Sequence, residues 1–257
     1  MKTFIQLILK CLLILGVFMM MVVSLSDDNK SKLKYDLLRV LFKGNRENQA
    51  MVIETFASEI QDTKPKKIYL YNTHQSEEYI DGVTVFEVTS LFAQMLRSEG
   101  FEVVFETGDF LEELSAQNKK YNQLYTISKS YLEEALVQHG PFDLIIDVHR
   151  DSAPRSVSVV EYDGVEYARL MFVIGEKSEN AAKVRAMSQT YSDKMNQSLE
   201  GIMREPFTRQ SEYNQGVADY ILLLEVGSDQ NTSSEALRSL KVLVELLKQE
   251  GLLFEDS

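Results

Sequence analysis

From Lys67 onward the chain alternates between short apolar runs and longer segments in which apolar positions recur every three or four residues. The runs at 68–72, 102–106, 144–148, 157–162, 168–174 and 220–225 predict strands. The periodic segments at 85–99, 111–117, 120–137, 180–202 and 234–250 predict helices, with Gly100 closing the first and Gly140-Pro141 following the third. Asp163-Gly164 marks a turn. Strands alternating with helices of this length predict an α/β domain with a mainly parallel sheet and helices on both faces.

The pattern before Lys67 is different. Residues 4–25 are strongly apolar, interrupted only by Lys10. The unbroken part, 11–25, is short for a span of about 20 residues, but Lys10 can snorkel to the headgroups and lengthen it. Lys2 and Lys10 precede the apolar core and Asp27 and Asp28 follow it, so the positive-inside rule leaves the N-terminus in the cytoplasm and the body outside. A cleavable signal peptide is the rival, but Val23-Ser24-Leu25-Ser26 makes a poor cleavage site. Residues 1–26 are therefore expected to be a single-pass membrane anchor. In 27–65, Leu33, Leu37, Leu38, Leu41, Val52, Ile53, Phe56 and Ile60 outline two amphipathic helices around Gly44-Asn45, a helical stalk or linker. Pro65 among three lysines punctuates the start of a catalytic domain over 66–257.

Composition narrows the chemistry. A net charge of −12 argues against nucleic acid, which needs a basic face. The one cysteine, Cys11, lies in the apolar segment, so a disulfide framework or a thiolate metal site is excluded. A metal site must draw on Asp, Glu and the three histidines, His74, His139 and His149. His139 reads as a surface residue at a helix end. His74 and His149 each end a strand-like run, and Glu225 ends a third, wholly apolar one. In an open α/β sheet, ligands bind beyond the carboxyl ends of the strands, so these three side chains are expected in one crevice. Two imidazoles and a carboxylate suit a catalytic zinc with a position left for water. Glu77, Glu78 and Glu87 all lie within range as the carboxylate ligand, although Glu87 is also well placed to cap the helix it opens. A buried ionised Glu225 is costly without a partner, which makes it a candidate general base. Arg150-Asp151 can orient the site, and Asp147 can cap neighbouring backbone. With no glycine-rich phosphate loop and no Gly-x-Ser-x-Gly elbow, phosphoryl transfer and serine hydrolysis have little support.

At these residues the chain resembles the stage II sporulation protein P family of membrane-anchored cell-wall hydrolases. The likeness covers about 66–250 and rests on five ordered blocks: Tyr71-Asn72-Thr73-His74-Gln75-Ser76-Glu77-Glu78-Tyr79, Asp147-Val148-His149-Arg150-Asp151, Gly201-Ile202-Met203-Arg204, Tyr213-Asn214-Gln215, and Leu224-Glu225-Val226-Gly227 with Asn231-Thr232-Ser233-Ser234-Glu235-Ala236. The resemblance implies a fold like that of zinc-dependent N-acetylmuramoyl-L-alanine amidases. It implies Zn2+ held by His74, Glu77 and His149, with Glu87 as alternative ligand, and Glu225 as the catalytic glutamate. Arg150 joins the catalytic candidates, and Arg204 and Asn214 the substrate-binding ones, an arginine suiting a stem-peptide or muramyl carboxylate. Asn72 stands where the family has a first histidine. The expected substrate is peptidoglycan, cut at the lactyl amide, and a glycan-cleaving hydrolase is an implied partner. An endopeptidase on the same metal site, or a non-catalytic wall-binding scaffold of the same fold, are the alternatives.

Overall fold

The computed structural model describes residues 65–252. The expected anchor at 1–26 and stalk at 27–65 lie outside that range but for Pro65. No helix among the described residues is long and apolar enough to cross a membrane.

Six strands form one sheet: β1 (Lys67–Tyr71), β2 (Glu102–Phe105), β3 (Leu144–Asp151), β6 (Leu170–Gly175), β7 (Phe207–Arg209) and β8 (Ile221–Ser228), in the order β2-β1-β3-β8-β6-β7. The first four run parallel to one another, and β6 with β7 is reversed against β8. The expected strand at 157–162 is shorter, β4 (Val159–Tyr162). It leaves the main sheet to pair with β5 (Val165–Ala168) in a separate hairpin. The expectation of a mainly parallel sheet thus holds for the half that carries β1, β3 and β8. The reversal of β6 follows from this insertion: a hairpin rather than a crossover helix connects β3 to it, and a parallel neighbour needs a crossover.

Helices cover both faces. Alternation along β1, β3 and β8 points Ile68, Leu70, Leu144, Ile146, Val148, Leu222, Leu224 and Val226 to one face. There they pack against α1 (Val85–Ser98), α5 (Ala181–Ser198) and α6 (Ser233–Glu250) through residues such as Phe92, Met187 and Leu240. Tyr69, Tyr71, Ile145 and Ile221 face the other way, onto α2 (Phe110–Ala116) and α3 (Leu124–His139). A one-turn helix, α4 (Arg155–Ser158), precedes the hairpin. The helix expected at 180–202 ends early, at Ser198, and Gly201 turns the chain with φ +80°.

Local chemistry sets the helix starts near the crevice. Thr84 caps α1 and Glu87 reaches back to the Thr84 amide, a capping box. Thr232 and Glu235 do the same for α6, and Glu235 also accepts from Asn231 and pairs with Arg155. The Asn231-Thr232…Glu235-Ala236 block is therefore a helix start that anchors the end of β8. Gly227 within it has φ +67°, and a Cβ there would come within 2.8 Å of Ala168 and of Asn231.

Candidate active site

From β1 the chain crosses through α1 to β2 on one side, and then through α2 and α3 back to β3 on the other. The crevice between β1 and β3, beyond their carboxyl ends, is the switch point of the parallel half. His74 and Glu77 lie on the loop after β1. His149 stands on β3, directly opposite Glu225 on β8. Asp147 and His149, two apart on β3, share the face that Glu225 takes on β8.

The side chains meet as the alternation requires. The rings of His74 and His149 are 5.3 Å apart between centroids. Glu77 Oε2 is 3.7 Å from His149 Nδ1 and accepts a hydrogen bond from the Arg150 amide at 3.1 Å. His149 Nε2 is 3.0 Å from Asp147 Oδ1 but off the hydrogen-bond direction, which leaves this buried nitrogen without an aligned partner. Asp147 meanwhile accepts from the Thr73 amide and hydroxyl, as expected of a carboxylate bracing neighbouring backbone. Tyr121 holds His74 Nδ1 at 3.0 Å, and Tyr125 lies edge-on to His74 and stacked on His149. Glu225 keeps slight exposure overall, yet its Oε2 is buried and has no hydrogen-bond partner.

The electrostatics follow from burial and crowding. Burial first, and the neighbouring His149 second, lower the His74 pKa and leave it neutral at pH 7. Burial alone would lower that of His149, but Asp147, Glu77 and Glu225 together raise it well above the ordinary value. For Glu77, burial is outweighed by His149 and the Arg150 amide, which hold its carboxyl below the usual range. Burial pushes Glu225 up to about 7, with His149 opposing and Glu77, Asp151 and Asp147 adding to the rise.

Other expected residues fall on either side of the crevice. Arg150 gives its guanidinium to the carbonyls of Glu78 and Asp151, tying the Glu77 loop to the end of β3. Arg204 pairs with Asp151 at 2.6 Å on the wall beside Glu225. Asn214 is placed under the site rather than open to it, for it is buried and donates to Ser128, which also bonds Thr73. Glu87 is fully exposed and committed to Thr84, so its role here is a helix cap rather than a ligand. Asn72 turns to the opposite face, donating to Thr89 and to the Val148 carbonyl. His139 is the exposed last residue of α3. Sequence reasoning missed Tyr121 and Tyr125, which sit on a helical segment remote in sequence from both histidines, where nothing local marks them.

Among the described residues no group of three or more His, Asp or Glu side chains converges closely enough to hold a metal ion as it stands. The donors nonetheless fit one. His74, Glu77 and His149 come from two chain segments into the same crevice, the two rings 5.3 Å apart between centroids and Glu77 Oε2 3.7 Å from His149 Nδ1. Beside them the buried Glu225 Oε2 has no hydrogen-bond partner. Carboxylates outnumber imidazoles there, so the locus favours an added cation, and this N/O set suits zinc.

Comparison with solved structures places the fold. The chain is similar to the CwlD amidase from Clostridioides difficile, solved in complex with the GerS lipoprotein. That likeness covers 73% of this chain and 98% of that one at 12% identity, with a TM-score of 0.50. It is more distantly similar to the N-acetylmuramoyl-L-alanine amidase AmiC2 of Nostoc punctiforme, over 73% of this chain and 95% of that one, at 10% identity and a TM-score of 0.43. Identities this low bear on the fold alone, which is amidase-like. In sequence, the chain is 27% identical to stage II sporulation protein P of Bacillus subtilis (strain 168) over 209 residues, 74% of this chain and 52% of that protein. It thus spans about half the length of that relative. The model of the stage II sporulation protein P (SpoIIP) family matches residues 24–248. With that match running through both histidine segments and through Glu225, the chain belongs to the stage II sporulation protein P family.

Proposed function

We propose that this protein is a zinc-dependent peptidoglycan hydrolase, an N-acetylmuramoyl-L-alanine amidase cutting the lactyl amide between glycan and stem peptide. The observation that carries the reading is the pairing of His149 with Glu225 across β3 and β8, facing His74 and Glu77, with one Glu225 oxygen buried and unpartnered. Membership of the family and the amidase-like fold support it.

His74, as a neutral imidazole, with Glu77 and His149 would hold the metal. When bound, zinc supplies a Lewis acid for the amide carbonyl and lowers the pKa of water to about 7. Asp147 orients the His149 ring from the side away from Glu77. Arg150 fixes the Glu77 loop against β3. Glu225 takes a proton from the attacking water and returns it to the leaving amine. Its carboxyl, lifted by burial to about 7, suits both acceptance and release near neutral pH. Arg204, braced by Asp151, offers its remaining N–H donors to substrate. The apolar run ending at Leu25 is the basis for placing this domain outside the cytoplasm on a membrane anchor; recovery of the full-length protein from the soluble cytoplasmic fraction would overturn that placement.

The test is zinc content together with mass spectrometry of digested sacculi, on full-length protein in detergent. One zinc per chain and release of stem peptides with a free alanine amine are expected. Cuts within the peptide would make it an endopeptidase, and no cut at all a scaffold. Glu77→Gln should lose zinc while Glu87→Gln keeps it.

A further inference from the structure

The crevice does not stop at Glu225. It continues as a polar cleft of about 280 Å³ along β6 toward β7, walled by Arg204, Phe207, Arg209 and Tyr213. Arg209 is unusual there. Arg204, the other arginine lining the cleft, is committed to Asp151, and the nearby Arg150 and Arg169 give donors to backbone carbonyls. Elsewhere Arg97, Arg155, Arg185 and Arg238 are likewise engaged. Arg209 alone among the described arginines has no acceptor. Its guanidinium lies 4.6 Å over the Phe207 ring, which supports the group by its face and leaves the in-plane N–H fork free. In a chain of net charge −12, where carboxylates are plentiful, a cation left without one at the wall of a cleft is set apart from its neighbours.

The opposite wall is built to stay in place. Tyr213 and Asn214 are consecutive non-glycine residues in the left-handed region, with φ of 50° and 57°. Asn214 is anchored to Ser128 from below, and the Tyr213 ring meets Tyr125 edge-on at 5.4 Å. Tyr213 lies between two charges: burial raises its phenol pKa, Arg209 draws it down and Glu225 pushes it up.

We propose that Arg209, backed by Phe207 and faced by Tyr213, is a recognition site for a free carboxylate of the stem peptide. The inference rests on the hydrolase reading and deepens it by naming what the cleft takes. A planar guanidinium fork with no internal partner matches a carboxylate in bidentate geometry. Along β6, Met171 is level with Glu225 and Gly175 with Arg209, four residues on. At about 3.3 Å per residue that is roughly 13 Å along the sheet, and β7 lies two strands from β8, roughly 10 Å across it, so the backbone positions are about 16 Å apart; with both side chains reaching into the cleft between them, the carboxylate belongs about two to four peptide units from the amide that is cut.

The test uses full-length protein in detergent and the free stem tripeptide, which contains no lactyl amide and reports binding without turnover. Calorimetry should show Arg209→Gln binding it about tenfold or more weakly than wild type, with Arg209→Lys recovering part of the loss. Amidating the peptide carboxylates should weaken wild type by a similar factor and leave Arg209→Gln unmoved. Equal affinity of wild type and Arg209→Gln, or an amidation penalty that persists in the variant, overturns the proposal. An unchanged melting temperature confirms that the exposed substitution left the fold intact. If the tripeptide requires Arg209 but sacculi are not cut, the carboxylate site stands and the hydrolase reading falls. If sacculi are cut while tripeptide affinity ignores Arg209, the carboxylate site falls alone.

Discussion

The two faces of the central sheet are made by the same strands and do opposite things. Toward α1, α5 and α6, alternate residues of β1, β3 and β8 stay apolar through Leu70, Val148 and Val226. Toward α2 and α3 the same strands begin apolar, with Tyr69, Ile145 and Ile221, and turn polar at their carboxyl ends, with Asp147, His149 and Glu225. Interleaving by one residue lets Val148 lie in the core while both its neighbours carry chemistry. Buried polar groups are costly unless satisfied, and Glu225 keeps an unsatisfied oxygen. The first face stabilises a domain in which the second can tolerate that cost.

The sharpest way to break the comparison is to remove a donor from the polar face. His149→Ala and His74→Ala should each abolish zinc binding and hydrolysis while the domain keeps its circular dichroism spectrum, because the core lies on the other face. Stoichiometric zinc in either variant would refute the ligand assignment. Glu225→Gln should keep zinc and lose about 10²–10⁴-fold in rate. The same variant should be more stable than wild type once zinc is chelated. The Glu225 carboxyl sits at about 7 against an ordinary 4.5, so between those values the folded state holds a proton that the unfolded chain releases. Wild-type stability therefore falls as pH rises through that window and stays lowered above it. At pH 8 the metal-free variant should gain on the order of 1–3 kcal/mol in urea unfolding, with the gain gone near pH 4; a difference independent of pH would show that the Glu225 charge is not what costs stability.

On the apolar face the effect should invert. Phe92 is fully buried on α1, and Phe92→Ala should cost about 3–5 kcal/mol in unfolding free energy while leaving zinc content and turnover of the folded fraction near wild type. A proportionate fall in turnover would mean that the two faces are coupled. The smallest expected effect sharpens the boundary between them. Asp147→Asn retains the bonds to Thr73 in part but weakens the orientation of His149, and should lower zinc affinity by about 10–100-fold in a chelator competition. Unchanged affinity would reduce Asp147 to a brace for the β1 loop.

Much of this was legible from the chain. The runs leading to His74, His149 and Glu225 were readable as neighbours at one crevice because alternation is a local property, but their ends were not: His74 lies on the loop after β1, and β3 and β8 continue to Asp151 and Ser228. The capping role of Glu87 was readable too, since Thr84 and Glu87 have capping-box spacing. Asn214 was not. Its place in the Tyr213-Asn214-Gln215 block suggested a substrate contact, whereas its burial against Ser128 depends on α3 packing beneath the site. Arg209 carried no signal, because β7 is a three-residue edge strand with every residue exposed.

By itself the sequence determined most of the strands and helices, though not β5, β7 or the one-turn α4, and it marked which residues share a strand face and which few side chains carry donors that could hold a metal. Those are consequences of periods of two and 3.6 residues and of side-chain chemistry, which act over a few neighbouring positions. Only the tertiary structure decided that β3 lies beside β8, that β6 runs backwards against it, and that Glu77 rather than Glu87 turns toward His149. Lateral order in a sheet is set by the packing of the whole layer and by how each connection can return, and neither is written in any one segment.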